Sequence, residues 1–191
     1  MKQLIILIAL FVSSFLTTAQ YNKPARFEIP TRTGSDPVNF IPCGEEGILV
    51  YYPTISESAK DSITWSFLML DKMLNRSWQQ LMPLHEDVTF LKGIYRNKVA
   101  YLLFHDTKRN KEGNIFVFMV YPELQIITEH RSSIPENADI IDFDITDDMA
   151  VIGYNKRKSN PSLHIFSLSN DENKTQEITS IEESIICLLY T

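Results

Sequence analysis

Strand-like runs recur along this chain in sets of four, and the set repeats about every 50 residues. Runs of five to nine residues rich in Ile, Val, Phe, Tyr and Leu are separated by turn-forming residues. No segment sustains the apolar period of a helix. The first set is Val38–Pro42, Ile48–Tyr52, Ile63–Leu70 and Arg76–Met82. The second is Val88–Ile94, Val99–His105, Asn114–Tyr121 and Gln125–Arg131. The third is Asp139–Ile145, Ala150–Tyr154, Ser162–Leu168 and Lys174–Thr179. The third run of each set fixes the register: Trp65, Ile115 and Leu163 correspond, as do Leu68, Phe118 and Phe166, at spacings of 50 and then 48 residues. A tight polar turn sits at the same place in each set: Gly44-Glu45-Glu46-Gly47, Tyr95-Arg96-Asn97 and Thr146-Asp147-Asp148.

One four-stranded meander cannot bury both of its faces. Stacking several radially covers each sheet with its neighbours, and strands buried on both faces read as near-continuous apolar runs. FVFMVY and YLLF are such runs. Four strands per unit at this period is the signature of a β-propeller. The predicted fold is therefore all-β, built from four-stranded antiparallel blades of a partial β-propeller; a β-sandwich or open barrel is the alternative. The third unit, DFDITDDMAVIGYNKRKSNPSLHIFSLSN, resembles the blades of TolB-like and WD40-like exported propellers. In those, a turn opens into an apolar strand, a polar loop follows, and then a strand of the form LxIFxL. The Trp-Asp and Gly-His dipeptides of WD40 repeats are absent, as is the Ser-Pro-Asp-Gly turn of TolB-like blades. The resemblance, over roughly residues 38–190, thus implies an architecture and carries over no functional residue.

The expected layout is a signal peptide at 1–19, a lead-in at 20–37, and repeats at 38–86, 87–138 and 139–180, with a partial unit at 181–191. Closed propellers generally need four or more blades. Ser184–Tyr190 (SIICLLY) reads as the start of another first strand. Three resolutions follow: Arg26–Ile29 completes a fourth blade with it, two chains assemble, or the chain is a truncated form of a longer repeat.

The N-terminus reads as an export address. Met1-Lys2-Gln3 is a short basic region, Leu4–Leu16 is an apolar run of 13 residues broken by two serines, and Thr17-Thr18-Ala19 offers small residues for cleavage after Ala19. Thirteen residues fall short of the about 20 needed to span a bilayer. A secreted or periplasmic location is expected, with no stable membrane insertion after cleavage. Export permits disulfides. For Cys43 and Cys187, each in an apolar run, one bridge and two buried thiols are both open.

With 18 Lys+Arg against 24 Asp+Glu, the net charge of −6 argues against a nucleic-acid partner. Candidate chemistry is sparse. The four histidines, His85, His105, His130 and His164, lack the spacing of a preformed metal site and read as polar caps on the sheet surface. No metal or cofactor is expected. Asp142 and Asp144 belong to the densest acidic cluster and are expected to face a hydrated central channel. Nucleophile motifs and phosphate-binding glycine loops are missing, so no catalytic residue is assigned.

One distribution stands out. The loops joining the second and third strands of units two and three carry Lys108, Arg109 and Lys111, and Lys156, Arg157 and Lys158. Stacked blades would make these loops neighbours on one face, forming a basic patch for an anionic glycan or an acidic protein partner. Turns carrying Glu86, Asp87, Glu136 and Asp139 share that face and dilute its field. The expected function is an exported, non-catalytic binding module, with oligomerisation open. The alternatives are an exported propeller hydrolase acting on glycans or peptides, and a structural part of a cell-surface assembly.

Overall fold

A computed structural model describes residues 25–30, 37–54, 62–106, 112–135, 138–156, 161–169 and 173–177, with backbone alone at 112–113, 156 and 173–177. The first sheet comprises β1 (Asn39–Pro42), β2 (Ile48–Pro53), β3 (Ser62–Leu70) and β4 (Arg76–His85). The second comprises β5 (Val88–Arg96), β6 (Val99–Asp106), β7 (Glu112–Tyr121) and β8 (Ile126–Pro135). The third comprises β9 (Ala138–Thr146), β10 (Met149–Lys156), β11 (Ser162–Ser167) and β12 (Asn173–Glu177). Each is an open antiparallel meander in sequence order, so the described residues form an all-β fold of three open blades. All twelve expected strands are present; most run one to three residues longer than the apolar runs that announce them, because polar ends pair as well as apolar centres do.

Side-chain alternation along β6 shows how the blades stack. Ala100, Leu102 and Phe104 join a core with Leu49, Tyr51, Trp65 and Phe67 of the first blade. Tyr101, Leu103 and Val99, on the opposite face, join Phe143, Ile145, Ile152 and Phe166 of the third. All eight residues of β6 are consequently buried. Outer strand β4 has one face open and alternates instead. Three separate sheets stacked in this way replace the sandwich or barrel alternative.

The seam between blades one and two is aromatic. The Trp65 ring meets Phe104 edge-on at 5.0 Å, Phe104 meets Phe118 at 5.2 Å, and Tyr51 meets Phe90 at 4.8 Å. Such edge-to-face contacts add about 0.5–1.5 kcal/mol per pair beyond their burial. Gly93 lets β5 approach β1 closely, since a Cβ there would lie 2.4 Å from Ile41 Cδ1. Trp78 Nε1 donates across the same seam to the Pro122 carbonyl at 3.1 Å.

Tight turns close one end of the blades. Asn97 and Lys98 both have positive φ (51° and 65°), the two-residue hairpin geometry whose twist matches its strands. Lys72 pairs with Glu45 and Lys98 with Glu123, tying neighbouring turns together. The Gly44–Glu46 turn ends at Gly47, whose φ of 111° places a would-be Cβ 2.0 Å from the Leu70 carbonyl oxygen. Cys43, beside this turn, is a free thiol, and burial pushes its pKa up to about 11. Cys187 lies outside the described residues.

The far face of blade one is also covered. Val50, Tyr52, Leu68 and Leu70 form a third core, and Ile29 packs against it. Arg26–Ile29, one of the three routes open for completing a further blade, lies outside any strand among the described residues, and its Ile29 covers this core. The signal segment 1–19 and SIICLLY lie outside the described residues. No helix among the described residues is long and apolar enough to cross a membrane.

Gly47→Ala is expected to cost about 2 kcal/mol or more, through strain against the Leu70 carbonyl. Gly44→Ala, at φ 61° with open space around its Cβ, should cost about 1 kcal/mol. Urea denaturation of both variants measures the difference.

Candidate functional site

At the end of the blades opposite the tight turns, a cleft of about 350 Å³ opens between blades one and two. Pro83, Leu84 and His85, at the end of β4, form one wall. The other is the face of blade two: Val88, Asp106, Asn114, Phe116, Glu129 and Arg131. Register explains the convergence. Asp106 lies opposite both Val88 and Asn114, and Phe116 lies opposite Arg131, so one corner of one sheet face presents all these side chains.

The lining mixes charge with an aromatic surface. Arg131 Nε donates to Glu129, and its guanidinium sits 5.2 Å from the Phe116 ring centre, a cation–π contact. Asp106 is buried at 4% exposure. His85 Nδ1 lies 3.3 Å from the Asp87 backbone nitrogen and 3.4 Å from its carboxylate, so Asp87 fixes the orientation of the ring. Carboxylates, an amide, a guanidinium and a ring within one concave corner suit a ligand rich in hydroxyl groups.

The cleft also includes residues of the two strands that one of the predicted basic loops joins in sequence. Asp106 ends β6, and Asn114 pairs with it on β7, so these two cleft residues are the stems of the loop carrying Lys108, Arg109 and Lys111. Lys156 is the last residue of β10, at the equivalent place in blade three. The side chain of Lys156, and Lys108, Arg109, Lys111, Arg157 and Lys158 entirely, lie outside the described residues. Asp87 stands at the β4–β5 turn beside the cleft, on the same end of the blades as the loop stems.

Two expectations need correction. Asp142 and Asp144 are not simply bathed by a channel: Asp142 bonds Lys92, and Asp144 lies 3.1 Å from Arg96, both across the seam between blades two and three. Arg96 also donates to the Ile145 carbonyl. The side chains of Asp142 and Asp144 are only 14% and 25% exposed, so their charge is spent on joining blades. The histidines are not all surface caps either. His105 and His164 are buried at 8% and 3% exposure, and Ser132 Oγ lies 2.7 Å from His164 Nε2 across the same seam. Burial lowers the pKa of both rings; Asp106 partly offsets this for His105.

A further titratable group lies at the tight-turn end of the first seam. Desolvation and the adjacent Glu123 carboxylate raise the pKa of Glu46, while the Lys98 ammonium, 2.7 Å from Glu123, holds Glu123 low. Among the described residues, no group of three or more His, Cys, Asp or Glu side chains is arranged to hold a metal ion.

The cleft residues come from five strands and share no motif, so linear reading missed them. The ion pairs did leave a signal: Lys92 and Asp142 are 50 residues apart, opposite charges at one place in the repeat.

A Lys92→Met, Asp142→Leu double-mutant cycle should give a coupling of about 0.5–1 kcal/mol in urea unfolding, as for a partly exposed ion pair. The double variant is expected to leave the cleft intact. No family model, curated protein or solved structure matches the chain.

Proposed function

We propose that this protein is an exported, non-catalytic binding module that takes an anionic glycan in the cleft between its first two blades. The observation that carries this reading is the place of the cleft in the chain: Asp106 and Asn114 line it and are paired on the two strands that the segment with Lys108, Arg109 and Lys111 joins in sequence. Hydroxyl groups find acceptors in Asp106 and Glu129 and donors in Asn114 and Arg131. The cationic loop then meets the ligand's acidic groups. Such a division of labour gives orientation to the cleft and long-range attraction to the loop. Export rests on the N-terminal pattern ending at Ala19.

The purified chain should bind acidic polysaccharides on a glycan array more strongly than neutral ones, and binding should weaken as salt rises. Asn114→Ala with Arg131→Ala is expected to weaken binding about tenfold or more, the loss of two hydrogen bonds to a ligand. Replacing Lys108, Arg109, Lys156 and Arg157 together by Ala should chiefly remove the salt dependence. Unchanged binding in both variants, measured at low salt by calorimetry, would refute the assignment.

A further inference from the structure

Three of the four histidines share one seam. His105 on β6 and His130 on β8 alternate onto the blade-two face that carries Leu103, Val117 and Ile134, and His164 on β11 projects from the facing sheet beside Phe166. His105, Ile115 and Ser132 form one continuous row across β6, β7 and β8. The hydrogen bond between Ser132 and His164 then links that row to blade three. His164 also stacks loosely on Phe166, with ring centres 5.6 Å apart. The second seam is therefore held by apolar packing, two ion pairs along its inner edge and a buried polar contact near its loop end. The first seam is built mainly from aromatic rings.

We propose that the seam between blades two and three is a pH-sensitive latch, closed while His105 and His164 are neutral and loosened when acidification protonates them. An imidazolium at either position would be a charge enclosed among Ile, Phe and Leu side chains, with the adjoining sheet blocking access to water. Among the described residues, the titratable or charged groups facing this seam include Asp106 next to His105, His130 on β8, Tyr101 and Tyr121 on β6 and β7, Tyr154 on β10, and the pairs Lys92–Asp142 and Arg96–Asp144 on β5 and β9. Burial is the largest influence on both rings; Asp106 favours the charged form of His105, and its effect is smaller than that of burial. The sign follows. Unfolded histidine takes a proton near pH 6.5, whereas these folded rings resist it to lower pH. The stability they contribute is thus complete above about pH 6.5 and is lost as pH falls toward their folded values. His105 is the penultimate residue of β6 and His164 the third of β11, so the latch lies near the stems of both basic loops. Opening it would change the spacing of the strand ends at Asp106 and Lys156; the bearing of this on ligand binding rests on the proposed binding role, but the latch itself does not.

Urea unfolding of the purified chain between pH 8 and 5.5 tests it. The unfolding constant should rise below pH 6.5 by up to about tenfold per pH unit for each histidine that takes up a proton on unfolding. In the His105→Gln, His164→Gln double variant this rise should largely vanish, while His85→Gln should retain it. An unchanged slope in the double variant would overturn the latch. Should the double variant fail to fold, ring-nitrogen NMR titration of the wild-type chain decides. Both rings remaining neutral below pH 6 supports the latch, and titration at or above the ordinary histidine value defeats it.

Discussion

Blade two has no face of its own to give to water. Its β6 is buried at every residue because one side chain in two is claimed by the first blade and the alternate one by the third. That double claim fixes much else. It makes the centres of β6 and β7 continuously apolar and leaves the polar alternation to the outer strand β8. It demands Gly93 where β5 crowds β1. It also forces any polar group within a seam to find a partner there, as Ser132 and His164 do.

The two seams solve the same packing problem with different chemistry. The first interlocks Trp65, Phe104 and Phe118, shapes that tolerate little sliding. The second combines aliphatic packing with Lys92–Asp142 and Arg96–Asp144 at its inner edge and histidines deeper in. The blade ends are unequal too. At one end, turns such as Asn97-Lys98 are short and cross-linked by ion pairs, which leaves little to rearrange. At the other, longer connections follow Asp106 and Lys156, and there the cleft opens. Variation in loop sequence at that end changes a surface without disturbing the seams, which is why the proposed binding role is assigned to that end.

Strand number, order and grouping were legible in the sequence because they depend on local alternation and on a repeat near 50 residues. Trp65, Ile115 and Leu163 announced the equivalent strands before any packing was known. Bulges were not legible. The register shifts past Leu91 on β5 and past Ile141 on β9 leave both side chains partly exposed, and nothing local marks them. Asp142 and Asp144 read as channel-facing acids because a single strand reveals its own alternation but not which basic residue a neighbouring blade supplies. His105 and His164 read as surface caps for a similar reason: their burial is created by the opposing sheet. The cleft was the least legible feature, since Pro83 and Arg131 meet only once blade one is set against blade two.

The central claim is that face-to-face contact between blades holds this fold together. A double-mutant cycle on Trp65→Leu and Phe104→Leu, read by urea unfolding of the full chain, tests that contact directly. The rings are 5.0 Å apart across the first seam. Stacked blades predict that the two losses are non-additive, with a coupling of about 1 kcal/mol. Losses that simply add, to within about 0.3 kcal/mol, would show that Trp65 and Phe104 do not touch and would contradict the stacked arrangement.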